Sequence, residues 1–346
     1  MKVAIIGGTG YGAVELLRLL HIHPYAEVQA IISHSSAGKS LTSLYPHTDG
    51  FIEGNMETFD VAALKEKVDF AFFAAPPGVS RDLLPPLADA GIRCVDLAGD
   101  FRLKDPSVYK RWYNEDPAPP QLLEKAVYGL PEWNKSSIAE ADFVANPGCY
   151  PTASLLGLLP AVHNSLINPA SIIIDAKSGL SGAGKSPSAV AHYSEINENM
   201  KAYKLGTHKH IPEIEQLLAE AGGAAAQPIS FSTQLVPMTR GIMATIYADL
   251  QKDITETELL ESYKNYYSSH PFVRLRQLGE WPATKEVATS NFCDIGLYLD
   301  KRTNRMTVVS VIDNLVKGAA GQAIQNMNIM QGWEQTTGLW MLPVYP

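Results

Sequence analysis

The stretch Val3-Ala-Ile-Ile-Gly7-Gly8-Thr9-Gly10-Tyr11-Gly12-Ala13 decides how the rest of the chain is read. Its apolar start predicts a short strand and its glycines a turn. Ala13–His21, with Val14, Leu17 and Leu20 on one face, predicts a helix. A strand that passes through glycines into a helix offers backbone N–H groups at the positive end of the helix dipole, where a pyrophosphate can sit. The spacing is G-x-x-G-x-x-A rather than G-x-G-x-x-G. Gly7 would make the turn, Gly10 would allow close approach, and Thr9, Tyr11, Gly12 and Ala13 would complete a dinucleotide cradle. The competing reading is a tight strand-helix turn that binds nothing.

Downstream, the chain repeats a strand and helix rhythm. Val28–Ser33, Phe70–Ala75, Ile92–Leu97 and Ala141–Ala145 read as strands, and Asp60–Val68 and Ser80–Ala90 as helices, the latter despite Pro85 and Pro86. Lys104 to Ala139 is Pro-rich and reads as a long irregular excursion. After Pro151 the runs Ser171–Lys177, Ile229–Pro237, Ile242–Leu250, Asp294–Leu299 and Met306–Val311 alternate with helices such as Pro212–Ala221 and Glu256–Ser268. They predict an α+β domain with a mostly antiparallel sheet. Leu315–Met330 reads as a helix rich in small residues that packs back on the first domain. Ala221–Ala226 reads as a surface loop.

The second strand ends Ile32-Ser33-His34-Ser35-Ser36-Ala37-Gly38-Lys39. An NAD enzyme places an acidic residue here against the ribose hydroxyl. Ser33, Ser35, Ser36 and Lys39 instead suit a 2′-phosphate, so the expected cofactor is NADP(H).

Composition narrows the function classes. With 346 residues, 46% of them hydrophobic, two domains are expected, and a net charge of −8 argues against nucleic acid or an anionic membrane as partner. The N-terminal apolar run is too short for a signal peptide or a membrane span, so a soluble, cytoplasmic protein is expected. The 3 cysteines, Cys94, Cys149 and Cys293, are scattered and form no CxxC pair. That argues against a disulfide framework or a structural zinc site, so no metal is expected, and leaves a lone reactive thiol open.

Cys149 lies in ANPGCYPTASLLGLLP, after a Pro-Gly turn and before a helical pattern that Pro151 can open. At a helix N-terminus the dipole favours thiolate over thiol. The bland alternative, a small buried hydrophobe, suits Cys94 and Cys293 better. A thiolate beside a nicotinamide points to a thioester or thiohemiacetal that exchanges hydride. Such a site needs an acid/base group. His208 and His210, on one side of an extended Gly206–Ile211, are the candidates, with Glu213 after Pro212 close enough to orient an imidazole. Anion contacts are sought at Arg102, at Arg240, and in the loop Ser178-Gly179-Leu-Ser181-Gly182-Ala-Gly-Lys185. Each could equally be a solvated charge or an ordinary turn.

The segments GGTGYGAVELLRLL, AAPPGVS, DLAGDFRL, YGLPE, ANPGCYPTASLLGLLP, SGLSGAGK, HKHIPEIEQ, VPMTRGI and DNLVKGAAGQA run in order from Gly7 to Ala323. Together they resemble the N-acetyl-gamma-glutamyl-phosphate reductase family of arginine biosynthesis, within the aspartate-semialdehyde dehydrogenase-like group, over essentially the whole chain. The cysteine segment and HKHIPEIEQ are the specific ones. The resemblance implies an α/β fold class with a Rossmann NADP-binding domain over residues 1–148, completed by a C-terminal helix within 315–346. It also implies an α+β, glyceraldehyde-3-phosphate dehydrogenase-like catalytic and dimerisation domain over 149–314.

The activity implied is NADPH-dependent reduction of a small-molecule acyl phosphate to an aldehyde, in a cytoplasmic homodimer or homotetramer. Cys149 would be the nucleophile and His210, or His208, the acid/base. Pro76, Ser80, Ser178, Gly179 and Asn314 would surround the nicotinamide, while Arg102, Ser181, Gly182, Lys185 and Arg240 would face the substrate. The alternatives are an aspartate-semialdehyde dehydrogenase, the reductase of the carrier-protein lysine pathway, and an NADP-sensing regulator that kept the fold and lost the chemistry. Cys149 and the HKH segment argue for an enzyme.

Overall fold

A computed structural model describes residues 1–223 and 225–346. The chain divides into two compact units, Met1–Pro147 with Ala319–Trp340 and Gly148–Gly318 with Met341–Pro346.

The first unit begins with β1 (Lys2–Ile6), α1 (Tyr11–His21), β2 (Glu27–Ile32), α2 (Val61–Lys67), β3 (Phe70–Phe73), α3 (Val79–Asp89) and β4 (Arg93–Asp96). It continues with α4 (Pro106–Tyr113), α5 (Pro120–Lys125), β5 (Val127–Tyr128), α6 (Pro131–Glu140) and β6 (Phe143–Ala145). The strands form one parallel sheet in the order β2-β1-β3-β4-β6-β5. Ala4, Ile6, Ala71, Phe73 and Ala145 pack with Leu64, Leu84 and Leu87 in one core cluster. The alternate residues Val3, Ile5, Phe70 and Phe72 are fully buried as well. A sheet buried on both faces explains why these strands read as continuous apolar runs. The strand order reverses at β1, which places the β1–α1 and β3–α3 turns at the switch point where doubly wound sheets bind ligands.

The Pro-rich stretch is not irregular. Pro106, Pro120 and Pro131 each open a helix (α4, α5, α6), at the position where a missing N–H costs nothing. The strand before Cys149, β6, is the last of this sheet in chain order, and the two-residue β5 pairs outside it at the edge.

The second unit contains α7 (Cys149–His163), β7 (Ile173–Ser178), α8 (Tyr193–Ile196), β8 (Lys201–Tyr203), α9 (Ile211–Gly222), β9 (Ser230–Leu235) and β10 (Ile242–Asp249). It ends with α10 (Glu256–Tyr267), β11 (Val273–Leu275), β12 (Cys293–Asp300) and β13 (Arg305–Ile312). The sheet order is β11-β12-β13-β10-β7-β9-β8. It is mostly antiparallel, as expected, with β7–β9 and β11–β12 as its parallel pairs. The edge strands β8 and β11 are too short and too polar, each carrying a cation, for period-two alternation to reveal them. Helix α7 is buried throughout from Tyr150 to Val162 and lies against β10 and β13, which makes it the core helix of this unit. Of the expected loop at 221–226, Ala221 and Gly222 end α9, Gly223 caps it in the left-handed region, and residue 224 lies outside the described residues.

The closing helix α11 (Gly321–Met330) follows a wide turn at Val316–Ala320 and lies against α1, α6 and β4 in the first unit. It stops at Met330, well short of residue 346, and Met341–Pro346 belongs to the second unit. Among the described residues no helix is long and apolar enough to cross a membrane.

Candidate active site

Cys149 is the first residue of α7, with Gly148 as an extended N-cap (φ −68°, ψ 157°). The thiol is therefore at the helix start, two residues ahead of Pro151, and is half-buried, whereas Cys94 and Cys293 are fully enclosed. Burial pushes the Cys94 thiol well above its ordinary range, and Cys293 Sγ lies 3.4 Å from Ser310 Oγ. Of the three, Cys149 is placed where a dipole can favour thiolate.

Two glycines shape its surroundings, and neither was singled out in the sequence for this role. A Cβ on Gly148 would lie 2.5 Å from His210 Nε2, so the imidazole occupies the space a side chain would need. A Cβ on Gly318 would lie 2.8 Å from Cys149 Cβ, so that backbone backs directly onto the cysteine. Gly318 belongs to the run KGAAG, whose small residues had suggested only helix packing. Beneath them the buried Glu213 carboxylate accepts the Gly148 N–H at 2.8 Å, which anchors the N-cap to α9.

The histidine segment is a turn, not an extended strand, and α9 begins at Ile211 with Pro212 second. The rings still meet, with centroids 4.7 Å apart, because the His210 N–H donates to His208 Nδ1 at 3.1 Å and closes the turn. His208 is packed edge-on among Tyr150, Tyr203 and Phe231. Burial, reinforced by the charges of Lys204 and Lys209, lowers its pKa to about 3. It is therefore neutral at physiological pH, and with Nδ1 accepting, its proton resides on Nε2. Tyr203 donates to the Tyr150 hydroxyl at 2.9 Å, and burial raises both phenols, so they stay protonated.

The anion candidates of this unit gather at one end of its sheet. Ile242 is in register with both Ser178 and Ile312, so residues 179–185, 238–241 and 313–318 leave the same edge. The first two loops are stitched by Gly179 N to Gly241 O, Leu180 N to Met238 O and Ser181 N to Thr239 O, at 2.9–3.0 Å. A side chain at Gly179 would collide with the backbone of Thr239 and Arg240. Asn314 ties them further: Oδ1 accepts Gly241 N–H and Nδ2 donates to Ser181 Oγ. Ser178 is buried and Gly182 and Lys185 are exposed. Arg240 Nη1 lies 3.5 Å from the buried Asp313 carboxylate, whose oxygens also accept the amides of Thr289, Leu315 and Val316.

In the first unit, Gly7 (φ +93°) lies against the β3–α3 turn, where a Cβ would sit 2.7 Å from the Ala74 carbonyl. Gly10 is the extended N-cap of α1, Gly12 faces open space, and Tyr45 donates to Thr9 O. With Tyr11 and Ala13 on the first turn of α1, bare backbone lines this helix start, which fits a pyrophosphate. After β2, Ser36 N–H donates to the buried Ser33 Oγ and Lys39 N–H to Ser36 O, and Ser35 and Lys39 are exposed with no carboxylate in the turn. This fits a 2′-phosphate.

Two candidates differ from expectation. Ser80, in the first turn of α3, is fully buried, whereas Pro76 is exposed. Arg102 is also buried and donates from Nε to Asn146 O and from Nη2 to Leu97 O, both at 2.7 Å, so it braces the chain leading to Cys149. A cavity of about 1130 Å³ along the outer edge of β2, lined by Tyr25, Phe51 and Trp333 among others, contains none of these residues.

Residues 2–141 match the family model described as semialdehyde dehydrogenase, NAD binding domain, and residues 149–314 that described as semialdehyde dehydrogenase, dimerisation domain. A curated N-acetyl-gamma-glutamyl-phosphate reductase from Geobacillus sp. (strain WCH70) is 55% identical over 100% of both chains. The protein of that name from Bacillus subtilis (strain 168) is 51% identical, again over 100% of both. The chain belongs to the N-acetyl-gamma-glutamyl-phosphate reductase family. Among solved structures, aspartate semialdehyde dehydrogenase II from Vibrio cholerae, complexed with ASA, superimposes with a TM-score of 0.72 at 18% identity. The match covers 96% of this chain and 98% of that one. Aspartate semialdehyde dehydrogenase with NADP from Candida albicans gives 0.70 at 16% identity, covering 95% and 98%. At such identities these neighbours speak for the fold, and the family assignment rests on the full-length relatives.

Proposed function

We propose that this chain reduces N-acetyl-gamma-glutamyl phosphate to N-acetylglutamate 5-semialdehyde, with release of phosphate, through a thioester on Cys149. The observation that carries the reading is the juxtaposition at the start of α7: Cys149 as first residue, with the His210 ring over the glycine that precedes it.

The Cys149 thiolate attacks the acyl carbon, the carbon–oxygen bond to phosphate breaks, and phosphate leaves with that bonding pair. NADPH, when bound, supplies the hydride that converts the thioester carbon to the level of a thiohemiacetal. His210 gives a proton to the oxygen and takes it back as the carbon–sulfur bond breaks, which frees aldehyde and thiolate. His208, held neutral, is assigned as a positioning residue that fixes the turn and hence the His210 ring. Glu213 holds the N-cap. The amides at the start of α7 are assigned to the acyl oxygen, on which negative charge develops. Arg240 and Lys185, with Ser181 and Gly182, are assigned to the anionic groups of the substrate. Ser178, Gly179 and Asn314 shape the loop beside them.

NADP(H) is the cofactor on this reading, with residues 7–13 on the pyrophosphate and Ser35, Ser36 and Lys39 on the 2′-phosphate. The dimerisation description of the second family model supports a homodimer or homotetramer, and we place the enzyme in the cytoplasm.

Phosphate-dependent NADP reduction, measured with N-acetylglutamate 5-semialdehyde and aspartate semialdehyde side by side, tests the substrate. A clear preference for the second compound would overturn it. Intact-mass analysis with acyl phosphate and no NADPH tests the thioester, which should appear in wild type and be absent from Cys149→Ser.

A further inference from the structure

Asp96 is the last residue of β4, in register with Phe73 of β3 and Ala145 of β6, at the carboxyl ends of the parallel strands. Its side chain is fully buried. One oxygen, Oδ1, accepts the Ala98 N–H at 3.0 Å. The other, Oδ2, has no hydrogen-bond partner. Ser80, in the first turn of α3, is also fully buried, its Oγ has no hydrogen-bond partner, and it is near enough to the Asp96 carboxyl to favour its ionised form. An orphaned carboxyl oxygen facing an orphaned hydroxyl is costly unless one group donates to the other.

A second carboxylate stands nearby and is handled differently. Asp100, also fully buried, accepts the Gly78 N–H on both oxygens, the Arg81 N–H at 3.2 Å and the Tyr109 hydroxyl at 2.6 Å, and so caps the N-terminus of α3 with a carboxyl group met by donors on both oxygens. Two aspartates therefore share one helix end. One is saturated with donors and the other accepts a single amide, so a charge on Asp96 is far less well satisfied by its surroundings. Burial first, and the charge of Asp100 next among the raising influences, move Asp96 up to about 7; Ser80, the Ala98 amide and the Arg102 guanidinium oppose that shift. Cys94, also on β4, is pushed up by burial and by the Asp96 charge and stays neutral.

The β3–α3 turn is the wall against which Gly7 lies. The helix end held by this pair thus borders the glycine turn assigned to the dinucleotide. We propose that Asp96 is a positioning residue for the dinucleotide: its carboxyl, through Ser80, sets the first turn of α3 and governs how readily the crevice beside Gly7 accepts an anion. When protonated, Asp96 donates from Oδ2 to Ser80 Oγ and adds no charge behind the helix end. When ionised, it puts a second negative charge next to Asp100 and opposes the phosphates. Dinucleotide binding and proton uptake at Asp96 therefore favour each other.

The inference rests on the cofactor reading above, and its test separates the two. Dissociation constants of NADP and of NAD are measured by titration from pH 6 to 9. NAD is included because the 2′-phosphate itself titrates near pH 6. For wild type, affinity for both should fall about tenfold across this range, the equivalent of one unit of coupled shift. Asp96→Asn, which keeps a donor and an acceptor but cannot ionise, should bind tightly with a flat profile. A merely structural role would lower affinity at every pH without changing the slope. The same slope in wild type and Asp96→Asn overturns this inference alone, whereas failure of both nucleotides to bind at any pH overturns it together with the cofactor reading. Should Asp96→Asn not fold, the infrared carboxylic-acid band of wild type decides. That band should be present at pH 6, fade toward pH 9 and regain intensity on adding NADP at pH 7.5. A band indifferent to pH or to nucleotide overturns the inference.

Discussion

The His210 ring stands where a side chain on Gly148 would have to go, 2.5 Å from an ideal Cβ to Nε2. Any larger residue there must displace the imidazole or the start of α7. Gly148→Ala is expected to fold, since the position is an extended N-cap, and to lose about 10²-fold in kcat, the cost of misplacing a reacting group by an ångström. Steady-state kinetics beside the melting temperature checks this. Unchanged kcat would mean that the ring can move without consequence.

Gly318 confines Cys149 from another side, with 2.8 Å between its ideal Cβ and the cysteine Cβ. Gly318→Ala should slow both turnover and alkylation of Cys149, because the thiol itself is pushed. Gly148→Ala should reduce turnover more than alkylation by comparison, because it displaces the acid/base partner. Rates with iodoacetamide, read by peptide mass, distinguish the two variants.

The two histidines are expected to separate on substitution. His210→Gln removes the proton carrier and should lower kcat by about 10²–10⁴ with nucleotide affinity intact. His208→Gln keeps an acceptor for the His210 N–H and should retain far more activity. The reverse ranking would exchange the roles assigned to them.

His208 also carries a stability prediction with a definite sign. Its folded pKa, about 3, lies below the ordinary 6.5, so the unfolded chain binds the proton more readily. The stability contributed by a neutral His208 is present above pH 6.5 and is lost as pH falls toward 3. Thermal melts at pH 7 and pH 5 should therefore show a smaller acid-induced drop for His208→Gln than for wild type. Parallel drops would place the acid sensitivity elsewhere.

Lys39 is exposed in the turn after β2, where Ser35 and Ser36 accompany it. Lys39→Ala should weaken NADPH binding by about 1.5–3 kcal/mol, the range for a charge-assisted hydrogen bond, and leave NADH almost unaffected. Equal losses for both nucleotides would remove Lys39 from the 2′-phosphate.

Local signals in the sequence were enough for the strand-glycine-helix start and for the helix that begins at Cys149, because glycine, proline and apolar periodicity act over a few residues. Pro106, Pro120 and Pro131 read as irregularity in the sequence although each opens a helix, since the same residue marks a break or a beginning according to its neighbours. Edge strands β8 and β11 exist because β9 and β12 offer them hydrogen bonds, and that information lies far away in the chain. Residue types are legible along the chain: a cysteine at a helix start, two histidines two apart, and a serine-rich turn without a carboxylate. Their states come from packing in three dimensions. An aromatic shell keeps His208 neutral, Gly148 leaves room for His210, carbonyls claim Arg102, and burial leaves Asp96 and Ser80 facing each other. Protonation and reach depend on what surrounds a group in space, and burial strengthens charge interactions that spacing along the chain does not encode.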